Sequence, residues 1–382
     1  MTGGEQIIKC WLKGRQGTVI LDPSNPYKIT LSDAGHLDAF YFGTKIFKSN
    51  GQLVDQMFDY CEDIHAHVYE VCGGKQVCVY HNRIELHDGG EILSISFPSG
   101  VKLFYPQKMT SHQTDCVSVH ASLNGVALQI RVSEPTLTMR IETTSAYPKL
   151  RMNDRYCAWM RQDFVPFVYL SALYGINDQG VPSSVEYTLY KKNDKQFDLV
   201  WSGFDKIKEY VIEINFHEQK LFQDTTVESI NPNVNSVYGA SAFIGHTERY
   251  GTQWLFSKTT FPILEDLRDK RLSQVIWHIP VLHTATNGII EMHPLARRFC
   301  SFGTTWMNRV SENNQTAINF ESQLAGYLSA DVTALYRDDH TGTLKYFDGN
   351  LLRLSSDEKH EYTLITTGDS SMYPHILEVR LL

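Results

Sequence analysis

Apolar and polar residues alternate along most of this chain in short bursts, and the bursts are cut apart by turn-forming residues. Segments 18–21, 66–72, 77–80, 92–97, 117–120, 126–132 and 137–143 carry the alternation and are rich in β-branched and aromatic residues. Successive side chains of a strand point to opposite faces, so this period builds sheets with one buried side. The breaks are Asp22-Pro23-Ser24-Asn25-Pro26, Gly73-Gly74, Asp88-Gly89-Gly90, Pro98-Ser99-Gly100 and Asn124-Gly125, residues that suit turns. Further on, 167–174, 185–191, 197–201 and 210–216 repeat the pattern. The expected fold is all-β, with tandem β-sandwich or jelly-roll-like domains and few short helices. An aromatic content of 12% agrees, because flat rings suit a pleated, half-buried face. Helical spacing occurs only at 52–64, where Leu53, Met57, Tyr60, Cys61 and Ile64 share a face, and at 264–272.

A length of 382 residues leads one to expect two or three domains. Residues 143–148 end a run of strands, and the texture changes again after Lys220. The expected organisation is therefore a β-rich domain over 1–145, a second β-rich segment over 146–220 packed with it, and a large β-sandwich over 221–382. The net charge of −8, from 35 basic and 43 acidic residues, argues against nucleic acid as a partner, since phosphate neutralisation needs a basic stripe. The densest basic clusters are the isolated pairs Lys191-Lys192 and Arg297-Arg298. The apolar stretch 164–174 is too short to span a bilayer and contains Pro166, so membrane insertion is not expected. The opening Met1-Thr-Gly-Gly-Glu-Gln has no cationic lead into an apolar run. Synthesis in the cytoplasm without a signal peptide follows as an expectation, with a virion or extracellular particle as a destination. The seven cysteines are odd in number and scattered, which favours free thiols over a disulfide framework.

Cys61, His65, His67, Cys72, Cys78, His81 and His87 are the densest set of metal-ligand types. A hairpin turning at Gly73-Gly74 would pair Cys72 with Lys75 and Tyr69 with Cys78, placing His65, His67 and Cys78 on one face in a zinc-compatible array. The close Cys pair of structural zinc motifs is missing, and half-buried sheet residues are the plainer explanation. No catalytic residues are assigned. Gly239-Ala240-Ser241-Ala242-Phe243 has Phe where a nucleophile elbow needs its second glycine. Glu265-Asp266 and Asp338-Asp339 lie in polar segments suited to a solvated surface. The chain is therefore read as a non-catalytic protein, with a carbohydrate-active enzyme as the least favoured alternative.

The last block carries the most distinctive residues. It opens Phe222-Gln-Asp224-Thr-Thr-Val-Glu-Ser-Ile-Asn231-Pro232-Asn-Val-Asn235, continues through Arg298-Phe-Cys-Ser-Phe-Gly-Thr-Thr305-Trp306-Met-Asn308, and closes with Asp331-Val-Thr333 and Gly368-Asp369-Ser-Ser. Over 221–382 the chain resembles the DNRLRE-type β-sandwich, a carbohydrate-binding-module-like domain. In that family an Asp-Thr-x-Val strand and an Asn-Pro-Asn turn open the domain, and Thr-Trp-x-Asn precedes a closing Asp-x-Thr strand. The name-giving hexapeptide is absent, and residues 1–220 resemble no family. The resemblance implies a non-catalytic module of large bacterial surface or secreted proteins, some of whose relatives bind carbohydrate.

Aromatic faces stack on sugar rings while neighbouring amides and guanidinium groups bond the hydroxyls. Trp306, Asn308, Arg298 and Trp254 are accordingly the candidate glycan-binding residues. A core plug between sheets is the competing reading for both tryptophans, and the favoured one. The alternation Phe302, Thr304, Trp306 suits a strand with Met307 facing the other way; Met307 is the better core candidate by apolarity alone, but Trp306 buries more area. Asp224, Asn231 and Asn235 could supply oxygen ligands to calcium, though an Asx-rich turn explains them equally well. Two functions fit: a structural or adhesive subunit of a phage-tail, baseplate-like or injection particle, held to other protein subunits and touching a cell-surface glycan, or a stand-alone carbohydrate-binding surface module.

Overall fold

The structure, a computed structural model, describes residues 12, 15–33, 35–54, 58–105, 115–147, 149–183, 185–313, 315–324, 326–356 and 358–382. It is all-β, built of sandwich domains, with the short helices Phe261–Leu267 and Thr333–Tyr336. Among the described residues no helix is long and apolar enough to cross a membrane. The chain forms two compact units: one includes Lys45–Glu218, the other combines Gly14–Thr44 with Gln219–Leu382, so one division falls within two residues of that expected after Lys220 and the other, at 44/45, was not expected.

The first unit is a sandwich of two sheets. One runs in the order Lys149–Met152, Tyr156–Met160, Pro166–Ile176, Glu209–Phe216, Gly125–Arg131, Cys116–Ser122, Lys102–Phe104. The other runs Glu186–Asn193, Gln196–Ser202, Thr136–Thr143, Glu91–Ser96, Arg83–Asp88, Gln76–Val79, Ala66–Glu70, Asp59–Cys61. Alternation sends Val117, Val119, Leu128 and Ile130 from the first sheet, and Ile84, Leu86, Met139 and Leu199 from the second, into one buried core with Trp159 and Trp201. The expected break at 145 is not a boundary, for a physical reason. Thr136–Thr143 bonds Gln196–Ser202 on one edge and Glu91–Ser96 on the other, so strands from both sides of residue 145 share a sheet and a core.

Two local expectations change here. The 52–64 helix does not form: Asp59–Cys61 is a strand paired with Ala66–Glu70, and residues 55–57 lie outside the described residues. The Gly73-Gly74 hairpin is shifted by one residue. Cys72–Gly74 makes a 3-10 turn with Gly73 and Gly74 both at φ 75°, and the Val71 N–H donates to Lys75 O at 2.9 Å. Tyr69 then pairs with Val77 and Val68 with Cys78. A one-residue slip moves a strand's side chains to the other face, so Cys78 faces away from His67 and the zinc array is lost. His65 is exposed at φ 51°, with its Nδ1 3.3 Å from the Tyr60 hydroxyl.

In the second unit, the thirteen-residue strand Leu272–Thr284 joins two layers. Up to Pro280 it bonds Ile376–Leu381 and Tyr327–Asp331; from Val281 onward it bonds Tyr362–Thr366 instead, with a register break between Val281 and His283 at the changeover. Strands that change sheets at such a break make the corners of folded-over sandwiches. Thr18–Leu21, Lys28–Asp33 and His36–Phe42 extend the first layer through the pairing of His36–Phe42 with Ile376–Leu381. Ser241–Thr247, Gly251–Thr259, Phe222–Glu228 and Asn350–Leu354 lie in the second. Tyr41, Trp277, Leu377 and Val379 meet Ala242, Ile244, Leu255 and Ile365 in the core. The expected 221–382 block is therefore not self-sufficient, because its closing strand pairs with a strand from the beginning of the chain. The helix expected at 264–272 runs instead from Phe261 to Leu267, and Leu272 already starts the long strand.

Candidate functional site around Trp254 and Trp306

Strand Gly251–Thr259 divides its side chains between two cores. Leu255 enters the main core of the unit, while Phe256 points into a smaller cluster on the opposite face with Val227, Leu295, Phe299, Val310 and Leu351. Trp254, on the same side as Phe256, reaches the rim of that cluster, and Trp306 packs there from the segment that covers it. The two indoles are neighbours, with centroids 4.7 Å apart and planes inclined at 44°. Both are half-buried.

The segment bearing Trp306 is a loop, not the expected strand. It is held by local bonds: Thr304 N–H donates to Cys300 O at 2.7 Å, and Met307 N–H to Pro232 O at 3.1 Å. Met307 is 69% exposed, so apolarity alone misplaces it, while Trp306 is half-buried at the rim of the small cluster rather than the full core plug expected of it. Asn308 acts within this loop: its Oδ1 accepts from the Thr305 N–H at 2.7 Å, and its Nδ2 donates to Gly303 O at 2.9 Å. It shapes the turn that presents Trp306. Arg298 is exposed, and its charge is felt by Lys258, whose ammonium is pushed below its ordinary range first by burial and then by that neighbour.

The cation that joins the indoles is Arg309, which sequence reading passed over. Its guanidinium carbon lies 4.5 Å from the Trp306 ring centroid and 5.0 Å from that of Trp254, and the side chain also donates to Trp306 O. Arg309 is exposed and has no carboxylate partner among the described residues. The signal was its place three residues after Trp306, which a tight turn folds back over the ring.

The three calcium candidates serve three different bonds. Asn235 donates through Nδ2 to Ser301 O at 3.1 Å and Thr304 O at 2.8 Å, fastening the tryptophan loop. Asn231 donates to Glu228 Oε1 at 2.7 Å, and Glu228 Oε2 accepts from Gln253 Nε2 at 3.2 Å. Asp224 is buried elsewhere on its strand, with Oδ2 accepting the Gly368 N–H. Among the described residues no group of three or more His, Cys, Asp or Glu side chains is placed to hold a metal ion. Asn231 thus braces Glu228 and Asn235 braces the tryptophan loop, close to Val227, which pairs with both Asn235 and Trp254.

The site offers two tilted indole faces and an uncompensated planar cation, with one loop presenting Trp306 and Arg309 together. Such a surface can receive a flat apolar face and donate hydrogen bonds to oxygen atoms at its margin. Comparison of the sequence with protein-family models and with curated proteins finds no match.

Proposed function

We propose that this chain is a non-catalytic adhesive β-sandwich protein of a bacterial surface or phage-tail-like assembly, and that Trp254, Trp306 and Arg309 form its contact with an acidic glycan. Residues 221–382, with the strands of 14–44 that complete them, act as a DNRLRE-type module in this reading. The observation that carries it is Arg309 lying across both indoles with no carboxylate partner among the described residues. A sugar presents C–H groups to an indole, and its carboxylate or hydroxyls accept from the guanidinium fork. The unpaired positive charge selects sugars bearing acid groups over neutral ones. The Asn-Pro-Asn turn and the Thr-Trp-x-Asn segment support the module assignment by their contact: the Met307 N–H donates to Pro232 O at 3.1 Å, and nearby Asn235 bonds the loop that carries Trp306.

The test is retention of the full chain on immobilised polygalacturonate against neutral dextran. Selective retention on the acidic polymer is expected, weakened at least about tenfold by Arg309→Gln or Trp306→Ala, a loss of about 1.4 kcal/mol or more. Retention that is absent, or unchanged in both variants, refutes the site.

A further inference from the structure

A second set of groups in the same unit has no part in sugar recognition. Lys220 and Asp369 form an ion pair whose side chains are only 15% and 2% exposed. Lys220 stands just before strand Phe222–Glu228, and Asp369 lies between Tyr362–Thr366 and the closing strand Ile376–Leu381. A third ionisable group completes the arrangement. Asp224 is buried; its Oδ2 accepts the N–H of Gly368, the neighbour of Asp369, and its Oδ1 has no hydrogen-bond partner. Gly368 is what admits it: a Cβ there would stand 2.7 Å from Asp224 Oδ2 and 2.7 Å from Phe222 O. Aromatic groups lie beside the set. Lys220 Nζ lies 5.8 Å from the Tyr238 ring centroid, and Phe222 stacks on Trp277 at 5.2 Å with His375 5.5 Å away.

A buried ion pair is a poor source of stability, because desolvation offsets its attraction. One largely buried amine in contact with one buried carboxyl group and acting on a second is better explained by reactivity. We propose that Lys220 and Asp369 are joined by an intramolecular isopeptide bond, Nζ to Cγ, which the folded chain forms on its own with Asp224 as proton carrier.

The step balances without any co-reactant. Low polarity disfavours both charges of the pair, so a proton passes from the Lys220 ammonium to the Asp369 carboxylate, leaving a neutral amine and a neutral acid. The Nζ lone pair attacks Cγ and the C–N bond forms, while the Asp224 acid donates its proton to the carboxyl oxygen. Asp224, now a carboxylate, takes a proton from the attached nitrogen. Asp224 passes that proton to one hydroxyl on Cγ as the Cγ–O bond breaks and water leaves, and it recovers a proton from the remaining hydroxyl, whose oxygen becomes the amide carbonyl, so Asp224 ends as the acid it began. Burial supplies the required form of Asp224: it pushes the carboxyl up to about 7, against the opposing pull of the Lys220 charge and the Gly368 N–H. The product ties the residue preceding one strand of the second layer to the turn preceding the closing strand.

The experiment is mass spectrometry of the purified full chain after denaturation, followed by peptide mapping. The wild type is expected about 18 Da below the mass of its sequence, one water, with a single branched peptide containing Lys220 and Asp369. Lys220→Arg and Asp369→Ala are expected at full mass. Asp224→Asn, which keeps both joined residues, is expected to yield the Lys220 and Asp369 peptides separately. Recovery of those two peptides as separate species from folded wild type overturns the bond, and this measurement does not depend on any variant folding. A fully branched map from Asp224→Asn overturns the role given to Asp224.

Discussion

Replacing Trp306 by alanine separates a rim residue from a core plug by the size of its effect. Trp306 is half-buried, so roughly 100 Å² of the 150–250 Å² that an aromatic side chain can bury is at stake. At about 25 cal/mol per Å² this is about 2.5 kcal/mol. The tilted contact with Trp254 and the stacking of Arg309 add to it, but water can enter the gap at a rim, so no sealed cavity penalty follows. The expected loss is about 2–3 kcal/mol, against about 3–5 kcal/mol for Trp277→Ala, whose ring is fully buried in the main core of the same unit. Urea unfolding followed by far-ultraviolet circular dichroism is the suitable assay, since indole fluorescence changes with the substitution itself. A Trp306→Ala loss equal to that of Trp277→Ala would refute the rim placement. A loss below about 0.5 kcal/mol would refute its packing on the small cluster, being no more than an ordinary surface change.

In the native protein Cys300, which is exposed, is expected to react first with a thiol reagent. Cys72 and Cys157, whose thiols burial pushes up, should react only after denaturation; equal native rates would contradict this. His375 is buried with its Nε2 2.8 Å from Thr366 O, and burial lowers its pKa to about 4. The unfolded chain therefore binds this proton first, so stability should fall as pH drops from about 6.5 towards 4, by up to about 3 kcal/mol from this residue. His375→Gln should flatten that part of the curve relative to wild type, and identical slopes from pH-dependent urea melts would exclude the assignment. Gly368→Ala forces a Cβ to within 2.7 Å of Phe222 O, a backbone atom, and should cost about 1–3 kcal/mol; an unchanged melting temperature would show that the turn can yield.

Strand content was legible because burial on one face writes a period of two into the sequence. Segments 126–132 and 137–143 fall within a residue of Gly125–Arg131 and Thr136–Thr143. Turn geometry was less so: glycines 73 and 74 mark the turn, but only their left-handed backbone decides which residues it pairs. The apparent helix at 52–64 arose because polar and apolar residues in an irregular stretch met helical spacing by chance of position, while pairing with Ala66–Glu70 decides the outcome. Long-range partners leave no local trace at all. Nothing in His36–Phe42 announces Ile376–Leu381 as its neighbour, and nothing in Trp306 announces Trp254. The candidate site was read in part: both tryptophans were named, Asn308 and Asn235 were given ligand roles where they brace a loop, and Arg309 was passed over because stacking depends on how the chain turns back.

The route of the chain sets an order in time. During synthesis, Thr18–Leu21, Lys28–Asp33 and His36–Phe42 leave the ribosome before the rest of both units, yet the strand that completes their layer, Ile376–Leu381, leaves after them all. The residues from Lys45 to Glu218 emerge in between and contain both sheets of their own unit, so that unit can finish folding while the early strands still wait. Through this interval the edge of His36–Phe42 is an open template for pairing with any other extended segment. Asp38, the partner of Arg380 at 3.0 Å in the finished protein, lies in this strand and gives the waiting edge a charge that discourages premature partners until the closing strand arrives.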